Sequence, residues 1–131
     1  MNNPTNNTGA GNQILLVDDN QDAAMILKML LVLKGYKVET CNSGQLALSV
    51  AEQNQPNVIL LDISMPGMDG YETCSRLRRQ PWGQHIFIIA LTGYGQPEDR
   101  QRALEAGFDA HMVKPADVNE LVKLISSHQF Q

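Results

Sequence analysis

The chain has no run of the roughly 18 consecutive apolar residues that a membrane-spanning helix needs. Residues 1–13 lack both a basic flank and an apolar centre, so they do not read as a signal peptide. No membrane association is expected, and a cytoplasmic protein is the default. Cysteine is scarce. Cys41 and Cys74 are the two present, and they have no metal-ligand spacing, so reduced, part-buried thiols are expected and not a disulfide or redox centre. A basic block is missing too. The ten Lys and Arg are scattered apart from Arg76, Arg78 and Arg79, and the net charge is −4, which argues against direct nucleic-acid binding. Neither an internal repeat nor a second domain is visible.

What is present suits one domain with a real core: 131 residues, 43% of them hydrophobic. Residues 1–13, rich in Asn, Thr and Gly, predict a flexible tail or linker; the domain spans 14–127, and 128–131 form a short C-terminal tail. No output segment is expected after it. Ile14–Val17 is a continuous apolar run, the mark of a parallel strand buried on both faces. Ala23 to Lys34 predicts a helix closed by Gly35, with Ala23, Ile26, Leu27, Leu30 and Leu31 facing the sheet. Met25, Met29 and Val32 form a second stripe, read either as scattered surface residues or as a docking patch. Tyr36–Thr40 alternates like an edge strand. Ser43 caps a helix from Gly44 to about Gln53 with Leu46, Ala47 and Val50 inward. Val58–Leu61 is a third strand. Asp69 caps a helix over Tyr71–Arg79, which Pro81-Trp82-Gly83 breaks. Ile86–Leu91 is the fourth strand. Pro97 opens a fourth helix, with Glu98 and Asp99 in its first turn and Gly107 past its end. Asp109–Val113 is the fifth strand. The last helix starts near Asp117, its inner stripe being Val118, Leu121, Val122 and Ile125. Strands alternating with helices predict a parallel sheet with right-handed crossovers and helices on both faces.

Polar residues end four of the apolar strands: Asp18-Asp19, Asp62, Thr92 and Lys114. In a parallel sheet these ends share one edge, and they meet if strands one, three, four and five are neighbours. Taken singly, each has a plain structural explanation as a loop or turn residue. Taken together, three carboxylates suit Mg²⁺, whereas a lysine and a threonine hydroxyl suit phosphoryl oxygens. A carboxylate can also act as a nucleophile and form an aspartyl phosphate.

The segments Val17-Asp18-Asp19-Asn20, Leu61-Asp62-Ile63-Ser64-Met65-Pro66-Gly67-Met68-Asp69-Gly70, Ala90-Leu91-Thr92-Gly93 and Val113-Lys114-Pro115 resemble the receiver domain of two-component response regulators, over residues 13–127. In style they are closest to receivers of hybrid sensor kinases. The resemblance implies a flavodoxin-like α/β fold, a (βα)₅ three-layer sandwich with a five-stranded parallel sheet in the order 2-1-3-4-5. It implies a phosphorelay switch and no independent enzyme activity beyond self-catalysed phosphotransfer and slow dephosphorylation. Asp62 resembles the phosphoacceptor; Asp18, Asp19, Asp62 and the backbone carbonyl of Ser64 would hold Mg²⁺ or Mn²⁺. Lys114, beside a cis peptide to Pro115, would contact the phosphoryl group, and Thr92 would be the switch hydroxyl. Implied partners are a histidine kinase or histidine phosphotransfer domain, a downstream protein target and a possible homodimer mate. The signal would leave through the face of helix four, strand five and helix five.

Two departures from the family pattern matter. His111 replaces the usual switch Tyr or Phe; it is smaller, and histidine is the side chain that ordinarily titrates nearest neutral pH. Ser64 and Tyr94 occupy variable positions near the pocket, where Tyr94 is expected to shield a phosphoryl group from water. Rival readings have sequence tests. A hydrolase working through an aspartyl phosphate commonly has a second acid two residues after the nucleophile, where this chain has Ser64. A nucleotide- or flavin-binding domain has no G-x-G-x-x-G here, and its first loop would be acidic. A receiver acting only as a binding module would not need the intact acid set.

Overall fold

A computed structural model describes residues 13–93 and 97–128. Five strands alternate with five helices: β1 (Gln13–Val17), α1 (Gln21–Leu33), β2 (Lys37–Cys41), α2 (Gly44–Asn54), β3 (Val58–Asp62), α3 (Gly70–Arg79), a single 3₁₀ turn (Pro81–Gly83), β4 (Phe87–Thr92), α4 (Pro97–Ala106), β5 (Ala110–Val113) and α5 (Val118–Ser127). The strands are parallel, and their order in the sheet is β2-β1-β3-β4-β5, as expected. The continuous apolar runs of β3 and β4 are buried throughout because helices cover both faces. On one face Leu15, Val17, Ile59, Leu61, Ile88 and Ala90 pack beneath residues of α2, α3 and α4. On the other, Ile14, Leu16, Leu60, Ile89 and Leu91 pack beneath α1 and α5. Cutting any one of these leucines or isoleucines to alanine would cost about 2–5 kcal/mol.

Local signals set most boundaries. Ser43, Asp69 and Asp117 cap α2, α3 and α5 by accepting backbone N–H bonds. Gly35 and Gly107 lie past α1 and α4 at φ of 100° and 107°, a region where L side chains are strained. Leu121 and Ile125 are the buried residues of α5, with Val118 and Val122 partly covered beside them.

Two helices are rotated from their expected faces. Asn20, whose side chain accepts from the Ala23 amide at 3.0 Å, starts α1 at Gln21 and not at Ala23. Its inner stripe is Ala24, Leu27 and Leu31, while Ile26 and Leu30 point outward. The helix is apolar almost all round, so periodicity alone sets no unique phase. In α2 the inward residues are Ala47 and Ala51, and Leu46 is exposed. Alanines let the helix lie close to the sheet, so the larger leucine is displaced to the rim. At the ends, Gln13, assigned above to the tail, is the first residue of β1 and pairs with Lys37. His128 stacks on Phe87 with ring centroids 4.0 Å apart, although it was assigned to the C-terminal tail. Residues 1–12 and 129–131, and with them most of the expected tails, lie outside the described residues, as does Tyr94.

Candidate active site

The site is built where the buried strands run out. Asp18 follows β1 directly, Asp62 is the last residue of β3, Thr92 the last of β4, and Lys114 follows β5. Because β1, β3, β4 and β5 are consecutive neighbours in the sheet, these groups converge at the carboxyl edge. Asp18 is 4% exposed and Asp62 2%, whereas Asp19 is open to solvent. One carboxylate oxygen from each of the three lies within 4.8 Å of the others.

Each buried carboxylate is held at both oxygens. Asp62 Oδ1 accepts the Ser64 amide at 2.9 Å, and Oδ2 accepts from Lys114 Nζ, also at 2.9 Å. Asp18 Oδ1 accepts the Asn20 amide at 2.9 Å, and Oδ2 lies 3.5 Å from Lys114 Nζ. Lys114 reaches both acids from a backbone held by its own amide, which donates to Thr92 O at 2.7 Å; the peptide to Pro115 is cis. Gly70 permits the turn after Asp62. A Cβ there would sit 2.5 Å from Ile63 Cα and 2.7 Å from Asp62 O, so the start of α3 packs against the strand end only with glycine.

Three carboxylates and one ammonium leave the pocket electron-rich. Burial raises the pKa of Asp18; the Asn20 amide and Lys114 oppose that rise, and the neighbouring Asp62 adds to it. Burial also works against the Lys114 ammonium, but the hydrogen bond and charge of Asp62, then of Asp18, outweigh it and raise the pKa of Lys114. The donor set fits a hard divalent cation: oxygen ligands only, with excess negative charge and one acid facing solvent.

The remaining expected residues are placed as follows. Thr92 is buried, and its hydroxyl donates to Met112 O at 3.5 Å. His111 is half-buried and pairs with Ala90 across the β4–β5 ladder. Strand alternation sets it on the opposite face from Ala110 and Met112. Cys74 is buried and Cys41 half-buried; both are free thiols, with burial pushing them up to about 12 and about 11, so neither is a ready nucleophile.

Two contributors were not read from the sequence. Asn20 both caps α1 and fixes Asp18; an Asn just ahead of an apolar helical run is a signal that identifies it. Arg78 is a structural residue and not part of a basic patch: it donates to the carbonyls of Gly83 (2.9 Å), Ile86 (2.8 Å) and Gly107 (2.9 Å) and to Asp109 Oδ2 (2.7 Å). Arg76 is paired with Glu72.

Comparison with known proteins agrees with this architecture. The sequence profile of the response regulator receiver domain matches residues 14–126. An uncharacterized 14.6 kDa protein from Leptolyngbya boryana is 39% identical over 115 residues, covering 88% of both chains. The probable transcriptional regulator ycf27 of Cyanophora paradoxa is 40% identical over 115 residues, 88% of this chain; the match spans 47% of that regulator's length. Among solved structures, the receiver domain of the sensor histidine kinase PA1611 from Pseudomonas aeruginosa, which has a magnesium ion coordinated in its active-site cleft, superposes with a TM-score of 0.82. It is 34% identical, with 90% of this chain and 97% of that one covered.

Proposed function

This chain belongs to the response regulator receiver domain family, and on that premise we propose that it is a phosphorylation-controlled switch whose acceptor is Asp62. The supporting observation is the Lys114 Nζ to Asp62 Oδ2 bond at 2.9 Å, which ties a buried carboxylate at a strand end to a cation supplied from another strand end.

A carboxylate oxygen of Asp62 attacks the phosphorus of a phosphohistidine on a kinase or phosphotransfer domain. The new O–P bond forms as the P–N bond breaks, and the electron pair returns to the imidazole nitrogen. Lys114, already drawn into the pocket, offsets charge on the transferring oxygens. The Ser64 amide holds the acceptor's orientation, a geometry that costs no reorganisation during transfer. Asp18, Asp19, Asp62 and the Ser64 carbonyl are the groups that would hold Mg²⁺ or Mn²⁺. When bound, the cation neutralises charge on the phosphoryl oxygens.

The product carries about −1.5 to −2 charge where a carboxylate stood. Thr92 then exchanges its long bond to Met112 O for a phosphoryl oxygen, and the movement is passed through β4 and β5, with His111, to the α4–β5–α5 face. That face engages a downstream protein. The role is regulatory and not that of an enzyme with its own substrate, it is exercised in the cytoplasm, and these residues do not themselves bind nucleic acid. One relative, named as a probable transcriptional regulator, is matched over 47% of its length.

The test is labelling by a small phosphodonor such as phosphoramidate, read by intact mass. The wild type should gain one phosphoryl group only with Mg²⁺, through an acid-stable, base-labile bond, and Asp62→Asn should gain none. Equal labelling of Asp62→Asn would overturn the assignment.

A further inference from the structure

Tyr71 carries a hydroxyl that the resting chain leaves unused. Its oxygen is buried, yet it has no hydrogen-bond partner among the described residues. An unmet hydroxyl out of water is costly, so a state that satisfies it is favoured. The ring itself is fixed. Phe108 meets it edge-on, with centroids 6.4 Å apart and planes at 86°, and the Arg102 guanidinium lies over its face at 4.1 Å. Tyr71 is the second residue of α3, whose start is packed against the end of β3 at Gly70. The hydroxyl is therefore held at a set place relative to Asp62.

The group it lacks is close by, on a different element. Burial, and next the charge of Asp99, push the Tyr71 hydroxyl up from its ordinary pKa. Asp99 is half-buried and is the third residue of α4. A hydroxyl donor and a carboxylate acceptor are a matched pair, but no hydrogen bond closes between them in this structure. Residues of α3 and α4 pack on the same face of the sheet. β4, which leads into α4, is the neighbour of β3, which ends in Asp62. In the switch argued above, Thr92 at the end of β4 is drawn toward a phosphoryl group on Asp62. That motion carries the first turn of α4 toward α3, and with it Asp99 toward Tyr71.

We propose that Tyr71 and Asp99 form a latch for the phosphorylated state, in which the Tyr71 hydroxyl donates to the Asp99 carboxylate and holds α4 in its shifted position. Both are positioning residues, since neither touches the phosphoryl group. The latch rests on the phosphorylation reading of Asp62 and adds to it the contact that rewards the shift. By linkage, a bond made only in the shifted state strengthens binding of whatever fills the Asp62 pocket in that state.

The test is calorimetric titration of the full chain with beryllofluoride, a phosphoryl mimic, in saturating Mg²⁺, together with urea denaturation of the unliganded chain. Tyr71→Phe keeps the ring beneath Arg102 and removes only the hydroxyl. It should weaken beryllofluoride binding about tenfold, the value of one hydrogen bond to a charged acceptor. It should leave Mg²⁺ affinity unchanged and unfold at the same or a higher urea concentration than wild type. Asp99→Ala should weaken beryllofluoride to a similar extent, and the double variant no more than either single one, as a shared bond requires. Beryllofluoride bound as tightly by Tyr71→Phe as by wild type overturns the latch. So does a loss of resting stability in Tyr71→Phe, which would mean that the hydroxyl is already partnered, and so do losses that add in the double variant. Those outcomes leave labelling of Asp62 standing. A wild type that neither binds beryllofluoride nor takes label at Asp62 would overturn the phosphorylation reading, and the latch with it.

Discussion

The sheet has a charged cluster at each end, and the two are opposites. At the amino edge Arg78 gives hydrogen bonds to four carbonyls, those of Gly83, Gln84, Ile86 and Gly107, and to Asp109, and Asp109 Oδ2 also accepts the Ile88 amide at 2.9 Å. One cation meets one anion, and the remaining donors find carbonyls. At the carboxyl edge, Lys114 serves two buried acids with a third beside them, and the cluster is left negative. The first cluster is saturated and ties α3 to the turn before β4 and to the loop before β5. The second is held in shape but unbalanced in charge, so it has a use for an added cation. Saturation marks a strut and imbalance marks a site, although both are built from acid–base pairs at strand ends.

Breaking the strut should have the largest effect on stability. Arg78→Ala removes every donor at once and leaves part-buried carbonyls unpaired, a loss of about 3 kcal/mol, measurable by urea denaturation. Arg78→Lys should recover little of it, since one ammonium cannot serve all the acceptors on the two segments before β4 and β5. A loss under about 1 kcal/mol would show that water replaces the guanidinium and that the cluster is no strut.

Gly70→Ala comes next. The added methyl meets Ile63 Cα and Asp62 O, so α3 must shift from the strand end. We expect a loss of about 1–3 kcal/mol together with slower labelling of Asp62. Stability lost with labelling unchanged would separate this contact from the geometry of the pocket.

The smallest change should be a gain. Asp18→Asn keeps an oxygen for the Asn20 amide and removes one buried charge from the unbalanced cluster. Because the folded-state pKa of Asp18 is raised above 3.8, the folded chain binds more protons than the unfolded chain between 3.8 and that value. Its ionisation therefore costs stability above the folded pKa, and the cost fades as pH falls through the window toward 3.8. In metal-free buffer the variant should be the more stable at neutral pH, with the advantage shrinking on acidification. An advantage independent of pH would mean that charge imbalance is not the cause. Lys114→Met probes the opposite sign. The raised pKa of Lys114 contributes stability that is present below 10.5 and lost as pH rises through the folded value. The difference in stability between wild type and this variant should therefore narrow at strongly alkaline pH.

The two clusters were not equally legible. Asp18, Asp62, Thr92 and Lys114 each interrupt or end an apolar run, so each announces a strand end. Arg78 lies among Arg76 and Arg79 on an amphipathic helix, and nothing in its neighbourhood distinguishes the arginine that points inward from the two that do not. Its acceptors are backbone carbonyls, which carry no residue code. The phase of α1 was hidden for a related reason. Where Ile, Leu and Met surround a helix, the choice of inner face passes to Ala24, whose small side chain permits close approach, and to the Asn20 cap.

By itself, the sequence determined the alternation of strands and helices, the caps at Ser43, Asp69 and Asp117, and the carboxylates and lysine at the strand ends. These follow from local rules: buried strands need unbroken apolar runs, and helix ends need partners for their free amides. Tertiary structure alone decided that Lys114 binds an acid 52 residues away, that Arg78 is internal, and which face of α1 is left open. Those outcomes depend on the order of strands in the sheet and on how closely each helix lies against it, and neither distance is written in any local pattern.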